Sequence, residues 1–340
     1  MALHGTKIAF RWRFALALVI VMLFNTPIDA SLAKRTKMAG LDMNAIDRYW
    51  RWNPNWRSSR QQLATCSVGF VGKMTNNIGR ASYNTFTAID GRGAEVHIAS
   101  NACLMIYKAS NIIIHGLRIH HCRGQGLSSV MGPGSKIMPM GKVDGDAIRL
   151  VTALKVWLDH NTLYECEDGL LDVTRGSTNI TISNKWFRYQ NKVMLLGHDD
   201  GYMRDKNMKV TIMYNHFGPN CSQRMPRIRY GYAHVVNNLY QGWMQYAIGG
   251  RMNPSVKSQA NLFIAPKSGN KEVTWRSKSS HREIGGLMEI LLSSFTQSGT
   301  ASGENLGYSH AQVFPVADAR SVRSLTKSSG ALRCTPRSRC

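Results

Sequence analysis

The chain has 340 residues, with 43 Lys and Arg against 20 Asp and Glu and a formal net charge of +23. Hydrophobic residues make up 43% and charged residues only 19%, which is enough apolar material for a core and excludes a disordered polycation. The length suits one large domain or two medium ones, and the excess of positive charge calls for an anionic partner: nucleic acid, an acidic membrane surface or an acidic polymer.

The first segment bears on that choice. Lys7, Arg11 and Arg13 precede an apolar run from Phe14 to Phe24, and small residues follow at Ala30, Ser31 and Ala33. A basic start, a short apolar stretch and a small-residue exit read as a secretory leader over residues 1–33, cleaved after Ala30 or Ala33. The run falls short of the roughly 20 apolar residues a spanning helix needs, so a signal anchor is the weaker alternative. Loss of residues 1–33 leaves a net charge of +21. Secretion disfavours nucleic acid and a membrane as partners and favours an acidic polymer. It also gives the cysteines an oxidising destination. There are seven, Cys66, Cys103, Cys122, Cys166, Cys221, Cys334 and Cys340, an odd count with no C-x-x-C spacing, so a zinc site is not expected.

Further along, a motif of alternating apolar residues, Asn, then an apolar or aromatic residue recurs. It is centred on Asn161 (VWLDHNTLY), Asn184 (ITISNKWF), Asn215 (VTIMYNHFG), Asn238 (HVVNNLYQG) and Asn261 (SQANLFIA), at intervals of 23, 31, 23 and 23 residues. The run IIIHGLRIHHC, Ile112 to Cys122, has the same character without the Asn. A fixed period of this length signals a solenoid, and the period-2 patterning makes its repeating element a strand. The expected fold is all-β: parallel strands stacked about 4.8 Å apart in a parallel β-helix, with the Asn side chains forming a ladder. A β-sandwich with coincidental spacing is the competing reading. The longest interruption, His121 to Asp144, is expected to project as a loop and help build a cleft.

The candidate chemistry lies between Asp144 and Arg229. Asp144 and Asp146 flank Gly145, and Asp168 and Asp172 follow about one repeat later. Stacked on adjacent coils, these carboxylates would make a hard oxygen cage suited to calcium; the bland alternative is that they cap loops or pair with Arg149 and Arg175. Lys192, Arg224, Arg227 and Arg229 come next, with Arg227 and Arg229 on one face of any strand they share, and Pro226 keeping Arg224 out of a helix. Guanidinium groups beside a calcium cage match a polymer of carboxylates.

At these residues the chain resembles the plant pectate lyases of polysaccharide lyase family 1. The resemblance is carried by DGDAIRL, VWLDHNTLYECEDGLLDVTRGSTNITISN, KVMLLGHDDG, NHFGPNCSQRMPRIRYGYAHVVNNLY and YAIGG, and by WNPNWRSSRQQLATCSVGF, IDGRGAEVHI and NIIIHGLRIHHC before them. It spans most of residues 44–275 and returns at SSGALRC. It implies a right-handed parallel β-helix whose flanking loops form a substrate cleft, and a secreted cell-wall enzyme that cleaves polygalacturonate by calcium-dependent β-elimination. It makes Asp144, Asp168 and Asp172 calcium ligands with Asp146 a further one, Arg224 the catalytic base, and Lys192 and Arg229 contacts to substrate carboxylates. An arginine is an unusual base, since a guanidinium ordinarily keeps its proton; neighbouring cations favour its neutral form. By the same resemblance Cys103 pairs with Cys122, and Cys334 is paired with Cys340 on weaker grounds.

The chain departs from the family in three places. The stretch between ATCSVGF and IDGRGA is short, Tyr49 and Trp52 stand where relatives carry paired cysteines, which leaves Cys66 without its partner, and residues 276–310 match loosely. The expected organisation is a leader (1–33), an N-terminal capping segment (34–84), a β-helix core (85–275) and a loop-rich C-terminal segment (276–340), acting as a monomer. A non-catalytic pectate-binding wall protein or a poorly folding truncation is the second hypothesis, and a nucleic-acid binder the third.

Overall fold

One residue in each of five successive coils marks where the chain bends from one strand to the next. His160, Asn184, Tyr214, Asn237 and Ala260 all have φ between 47° and 57°, left-handed corners at one phase of the repeat. Each ends a strand of one sheet and starts a strand of the next. A computed structural model of the chain describes residues 20–22, 87–91, 95–99, 103–131, 137–252, 254–276 and 316–332. Among these residues it is a parallel β-helix. The strands form an eight-stranded and two seven-stranded parallel sheets, with each coil contributing one strand to each sheet.

The first sheet runs Ile20–Met22, Leu104–Tyr107, Ile148–Val151, Leu171–Thr174, Met194–Leu196, Arg227–Ile228, Ile248–Gly250 and Thr274–Arg276. The second begins with Thr87–Asp90 and ends with Ser255–Gln259; the third begins with His97–Ala99 and ends with Leu262–Ile264. The expected long interruption is there, and it folds back on itself as an antiparallel pair, Ser128–Met131 with Ile137–Met140. Ile20–Met22 lies inside the apolar run read as a leader, yet in the full-length chain it pairs with Leu104–Tyr107. Cleavage after Ala30 or Ala33 would remove that strand and leave Leu104–Tyr107 as an exposed edge.

The interior follows from period-2 patterning. Ile112 and Ile114 lie in register with Val156 and Leu158, then Ile180 and Ile182, then Val210 and Ile212, all buried. On the third sheet the inward row changes from aliphatic to aromatic: Ile119 and Leu163 give way to Phe187, Phe217, Tyr240 and Phe263. Successive ring centroids are 4.9, 4.8 and 4.5 Å apart, the strand spacing itself. The buried Tyr240 hydroxyl donates to the Met225 carbonyl at 2.9 Å, so the row carries a hydroxyl without leaving it unpaired.

The asparagine ladder exists, but one rung differs from the expectation. Asn261 Oδ1 accepts from Asn238, and Asn238 Oδ1 from Asn215, each through backbone N–H and side-chain amide at 2.8–3.0 Å. Asn215 Oδ1 accepts from the backbone of Lys185 at 2.9 Å. Strand register sets Trp186 opposite Thr162 and His216, so the residue level with Asn161 and Asn215 is Lys185, not Asn184. Asn184 is the left-handed corner just before it, with φ 49°. The intervals in the ladder are therefore 24, 30, 23 and 23 residues.

The second expectation carried by the resemblance holds: Cys103 and Cys122 form a disulfide, 19 residues apart. Cys66, Cys334 and Cys340 lie outside the described residues, while Cys166 and Cys221 are free. Replacing Cys122 by Ser is expected to lower stability by about 3 kcal/mol, from the loop-closure entropy returned to the unfolded chain, readable in a denaturant titration. The far C-terminal segment is not only loop. It contains a short helix, Val322–Leu325, and it docks along the left-handed corners. Ala317 exchanges hydrogen bonds with the Asn237 side chain at 2.8 and 3.1 Å, and Gly330 N–H donates to the Asn184 carbonyl at 2.7 Å. Among the described residues no helix is long and apolar enough to cross a membrane.

Candidate active site

The outward face of the first sheet carries a row fixed by strand register: Met105, Arg149, Asp172, Leu195, Arg227, Gly249 and Trp275. Their neighbours Ile148, Leu171, Val173, Leu196, Ile228 and Ile248 point inward and are buried in the core. Alternation alone therefore puts an aspartate and two arginines on one surface, and the turns leading into these strands bring the remaining candidates to it.

Asp146 sits in the turn before Ile148–Val151, and Gly169 in the turn before the strand of Asp172. Asp146 Oδ1 accepts from the Gly169 N–H at 2.9 Å. A Cβ on Gly169 would lie 2.7 Å from Asp146 Oδ1 and 3.2 Å from Asp172 Oδ1, so the two carboxylates converge over a position where a side chain would collide. Both residues are 8% exposed. Asp146 Oδ2 is buried with no hydrogen-bond partner. Burial pushes the Asp146 carboxyl up to about 6, with Asp168 and Asp144 adding to it and Arg149 opposing. Burial likewise drives Asp172 well above the usual carboxylate range, reinforced by Asp146 and Asp168 against Arg149 and Arg224. The site is therefore short of positive charge at its centre.

The other two aspartates stand at its rim. Asp144 is half-exposed and takes Arg149 Nη1 at 3.2 Å, an atom that is also 4.0 Å from Asp146 Oδ2. Part of the bland alternative is thus realised: Arg149 does pair with the acidic cluster. Asp168 receives Lys192 Nζ at 2.5 Å, and Gln190 Nε2 anchors the same turn through the Asp168 and Cys166 carbonyls at 2.6 and 3.0 Å.

Arg224 ends the strand next to Lys192, with φ 64° and a cis Met225–Pro226 bond immediately after. Its carbonyl accepts from Met194 N–H at 2.7 Å, which ties the corner to the coil below. The extended or turn conformation expected before Pro226 is thus a left-handed corner. Arg224 Nε and Arg227 Nε are buried without acceptors, and among the described residues neither guanidinium pairs with a carboxylate. Asn220, four residues upstream, is exposed. Arg229 is held differently: Nη1 donates to the Gly197 carbonyl at 2.9 Å and Nε to Asp200 Oδ1 at 3.3 Å. Asp200 also takes Arg251 Nε at 2.7 Å. Burial works against its ionisation, but Arg251 and Arg229 outweigh it and hold Asp200 below its ordinary range.

Sequence spacing gave no role to Asp200, Arg251, Tyr246 or Trp275. It also missed a buried cluster elsewhere. His115 Nδ1 and His160 Nδ1 both meet Asp159 Oδ2, at 2.9 and 2.7 Å. Among the described residues this is the one trio of His, Cys, Asp and Glu whose candidate ligand atoms all lie within 4.8 Å. Asp159 Oδ1 is occupied too, by Ser183 Oγ at 2.7 Å and Asn184 Nδ2 at 2.8 Å. Both Asp159 oxygens are thus engaged in this buried hydrogen-bond hub, while His115 Nε2 is buried without a hydrogen-bond partner. The four aspartates of the cleft are more spread, with Asp144 paired to Arg149 and Asp168 to Lys192 at the rim.

Known proteins are similar to this chain over most of its length. A family model described as pectate lyase matches residues 65–321. The chain is 39% identical over 353 residues to probable pectate lyase 9 of Arabidopsis thaliana, covering 86% of this chain and 76% of that protein. It is 38% identical over 365 residues to a pectate lyase of Zinnia elegans, covering 87% of each. Among solved structures it is similar to jun a 1, the major allergen from cedar pollen, with 42% identity, a TM-score of 0.68, and coverage of 73% of this chain and 77% of that one.

Proposed function

We propose, from the premise that this chain belongs to the pectate lyase family and is a polysaccharide lyase, that it cleaves de-esterified (1,4)-α-D-galacturonan by calcium-dependent β-elimination outside the cell. The observation that supports this most is the pairing, on one outward face, of converging buried carboxylates with the half-buried side chains of Arg224 and Arg227, which have no carboxylate partner among the described residues. The first set calls for a cation and the second for an anion, and a polyuronate with its counterion supplies both.

The donor set fits calcium. It is all oxygen, its central members Asp146 and Asp172 are desolvated and mutually repelling, and Asp146 Oδ2 has no hydrogen-bond partner. Asp146 and Asp172 would hold the ion, with Asp168 and Asp144 joining from Lys192 and Arg149. When bound, calcium neutralises this cluster and polarises a substrate carboxylate.

The chain's own groups then divide the work. In elimination the proton on the carbon next to the carboxylate leaves, its C–H electrons become the new double bond, and the bond from the adjacent carbon to the glycosidic oxygen breaks. Arg224, on its left-handed corner, takes that proton. Lys192 and Arg229 hold substrate carboxylates and stabilise the charge that develops as the proton leaves; Asp200 keeps the Arg229 side chain in place. The products are unsaturated oligogalacturonides.

The direct check is ultraviolet absorbance of unsaturated product from polygalacturonate, with and without a chelator. Chelation should reduce the rate roughly hundredfold or more, and calcium should restore it. Calorimetric calcium titration of Asp172→Asn should show affinity lower by about 10-fold or more. Full rate in chelator, or unchanged calcium affinity in the variant, removes the metal from the mechanism.

A further inference from the structure

In a secreted chain, Asn followed by any residue but Pro and then by Ser or Thr is an acceptor for an N-linked glycan. The pattern occurs at Asn179-Ile180-Thr181 and Asn220-Cys221-Ser222, while Pro254 disqualifies Asn253. The fold treats the two sites differently. Asn179 is half-buried within the strand Thr178–Ser183, level with Lys155. Asn220 is exposed, on a left-handed corner with φ 59°. Other corner asparagines turn their amides back into the fold: Asn184 Nδ2 donates to Asp159 Oδ1, and Asn237 Nδ2 to the Ala260 and Ala317 carbonyls. Among the described residues the Asn220 amide makes no such bond.

Asn220 tops a column of such corners. Strand register sets His121 level with Glu165, Glu165 with Tyr189 and Tyr189 with Asn220, and all four have φ between 48° and 59°. Tyr189 N–H donates to the Pro219 carbonyl and Gln190 N–H to the Asn220 carbonyl, both at 2.9 Å. Equal backbone angles send these exposed side chains outward side by side, one strand spacing of about 4.8 Å apart. Tyr189, 41% exposed, therefore stands beside the Asn220 amide. The Arg188 guanidinium lies over one face of its ring at 5.6 Å, which leaves the other face. The corner of the following coil is Gly242, where a Cβ would meet nothing within 4 Å. An exposed ring and open space thus flank Asn220.

We propose that Asn220 carries an N-linked glycan whose first N-acetylglucosamine lays its apolar C–H face on the Tyr189 ring. This rests on the extracellular part of the reading above and not on the lyase chemistry. The donor is a lipid-linked pyrophosphate oligosaccharide. The bond from Asn220 Nδ2 to the sugar C1 forms as the C1–O bond to the carrier breaks; Nδ2 loses a proton and the carrier leaves as its pyrophosphate. Ser222 is 6% exposed, so the acceptor sequence is readable only before Cys221–Gln223 pairs with Gln190–Lys192, and transfer precedes folding. Cys221 is buried and forms no disulfide, so no bridge competes with it.

The test expresses the full chain with its own leader in a secretory eukaryotic host and maps peptides of the protein from the medium. Enzymatic release of the glycan in heavy-oxygen water converts a glycosylated Asn to labelled Asp. The peptide of Asn220 should carry the label, and Asn220→Gln and Ser222→Ala should each lose it. Releasing the glycan from the folded parent should lower its melting temperature by about 2 °C, whereas release from Tyr189→Ala should change nothing. A secreted chain with Asn220 unlabelled overturns the modification, and equal melting of the parent before and after release overturns the Tyr189 seat. If Asn220→Gln fails to fold, the parent's own peptide map and Ser222→Ala decide. A chain that stays inside the cell unmodified overturns both, with the extracellular reading at fault. None of these measurements needs turnover, so loss of lyase activity and loss of the glycan are read separately.

Discussion

Arg224→Ala is expected to reduce kcat on polygalacturonate by roughly 10³-fold, with KM changed much less. The guanidinium is buried at Nε, has no carboxylate partner among the described residues, and stands on a corner tied to the coil below through its carbonyl. Removing the side chain leaves the backbone corner intact, because φ 64° and the following cis bond do not depend on the side-chain head. The effect therefore reads chemistry rather than folding. Loss of a positioned proton acceptor typically costs 10²–10⁴-fold, and an interaction made only in the transition state lowers kcat and kcat/KM together. Arg224→Lys should remain impaired: a single ammonium keeps the charge but cannot reproduce the reach and planarity of the guanidinium. A kcat within fivefold of the parent in Arg224→Ala, with product formation still blocked by chelator, would show that another group takes the proton.

Much of this site is legible in the sequence. The 23-residue period gave the coil, the coil spacing put Asp144–Asp146 next to Asp168–Asp172, and alternation placed Arg227 outward opposite Ile228. What remained hidden has a physical cause in each case. Asp200 and Arg251 are 51 residues apart, and they meet because a turn from one coil leans over two strands of the next; no local pattern encodes that. Tyr246 follows a mixed run, Gln241-Gly242-Trp243-Met244-Gln245, and the space its ring occupies depends on an absent side chain at Gly249. The tightness of Arg149 and Lys192 on the rim aspartates was invisible because spacing shows which residues can meet, not which partner wins.

The mistaken rung of the ladder has the same kind of origin. Two consecutive positions in each coil favour Asn for unrelated reasons. One is the left-handed corner, where Asn tolerates positive φ. The other is the next residue, whose amide points inward and bridges neighbouring coils. Asn237 and Asn238 occupy both, while Asn184 occupies only the corner. Sequence spacing of one residue cannot separate them, but register can, and it exposes a lysine at the second position.

That lysine should dominate the pH dependence of stability. Lys185 is fully buried, its Nζ has no hydrogen-bond partner, and the ladder amide that Asn161 would otherwise meet is missing. Burial lowers its ammonium from the ordinary 10.5 to about 7, with Asp159 opposing. Asp159 is itself engaged by His115, His160, Ser183 and Asn184, so it offers Lys185 only long-range attraction. Between pH 7 and 10.5 the unfolded chain holds a proton that the folded chain has released, so stability rises with pH across that window and the burial penalty is whole below it. A shift of this size corresponds to roughly 5 kcal/mol. Lys185→Met keeps the apolar stem and should abolish the slope. Lys185→Asn should do the same and also return an acceptor to Asn161, raising the melting temperature at pH 6 by roughly 10 °C. The measurement is the difference between parent and Lys185→Met melting curves from pH 6 to 10, which cancels the titration of other groups. A difference that does not shrink as pH rises would mean that Lys185 is not a proton-linked burden on the fold, and equal stability of parent and Lys185→Asn at pH 6 would mean that the ladder tolerates its gap.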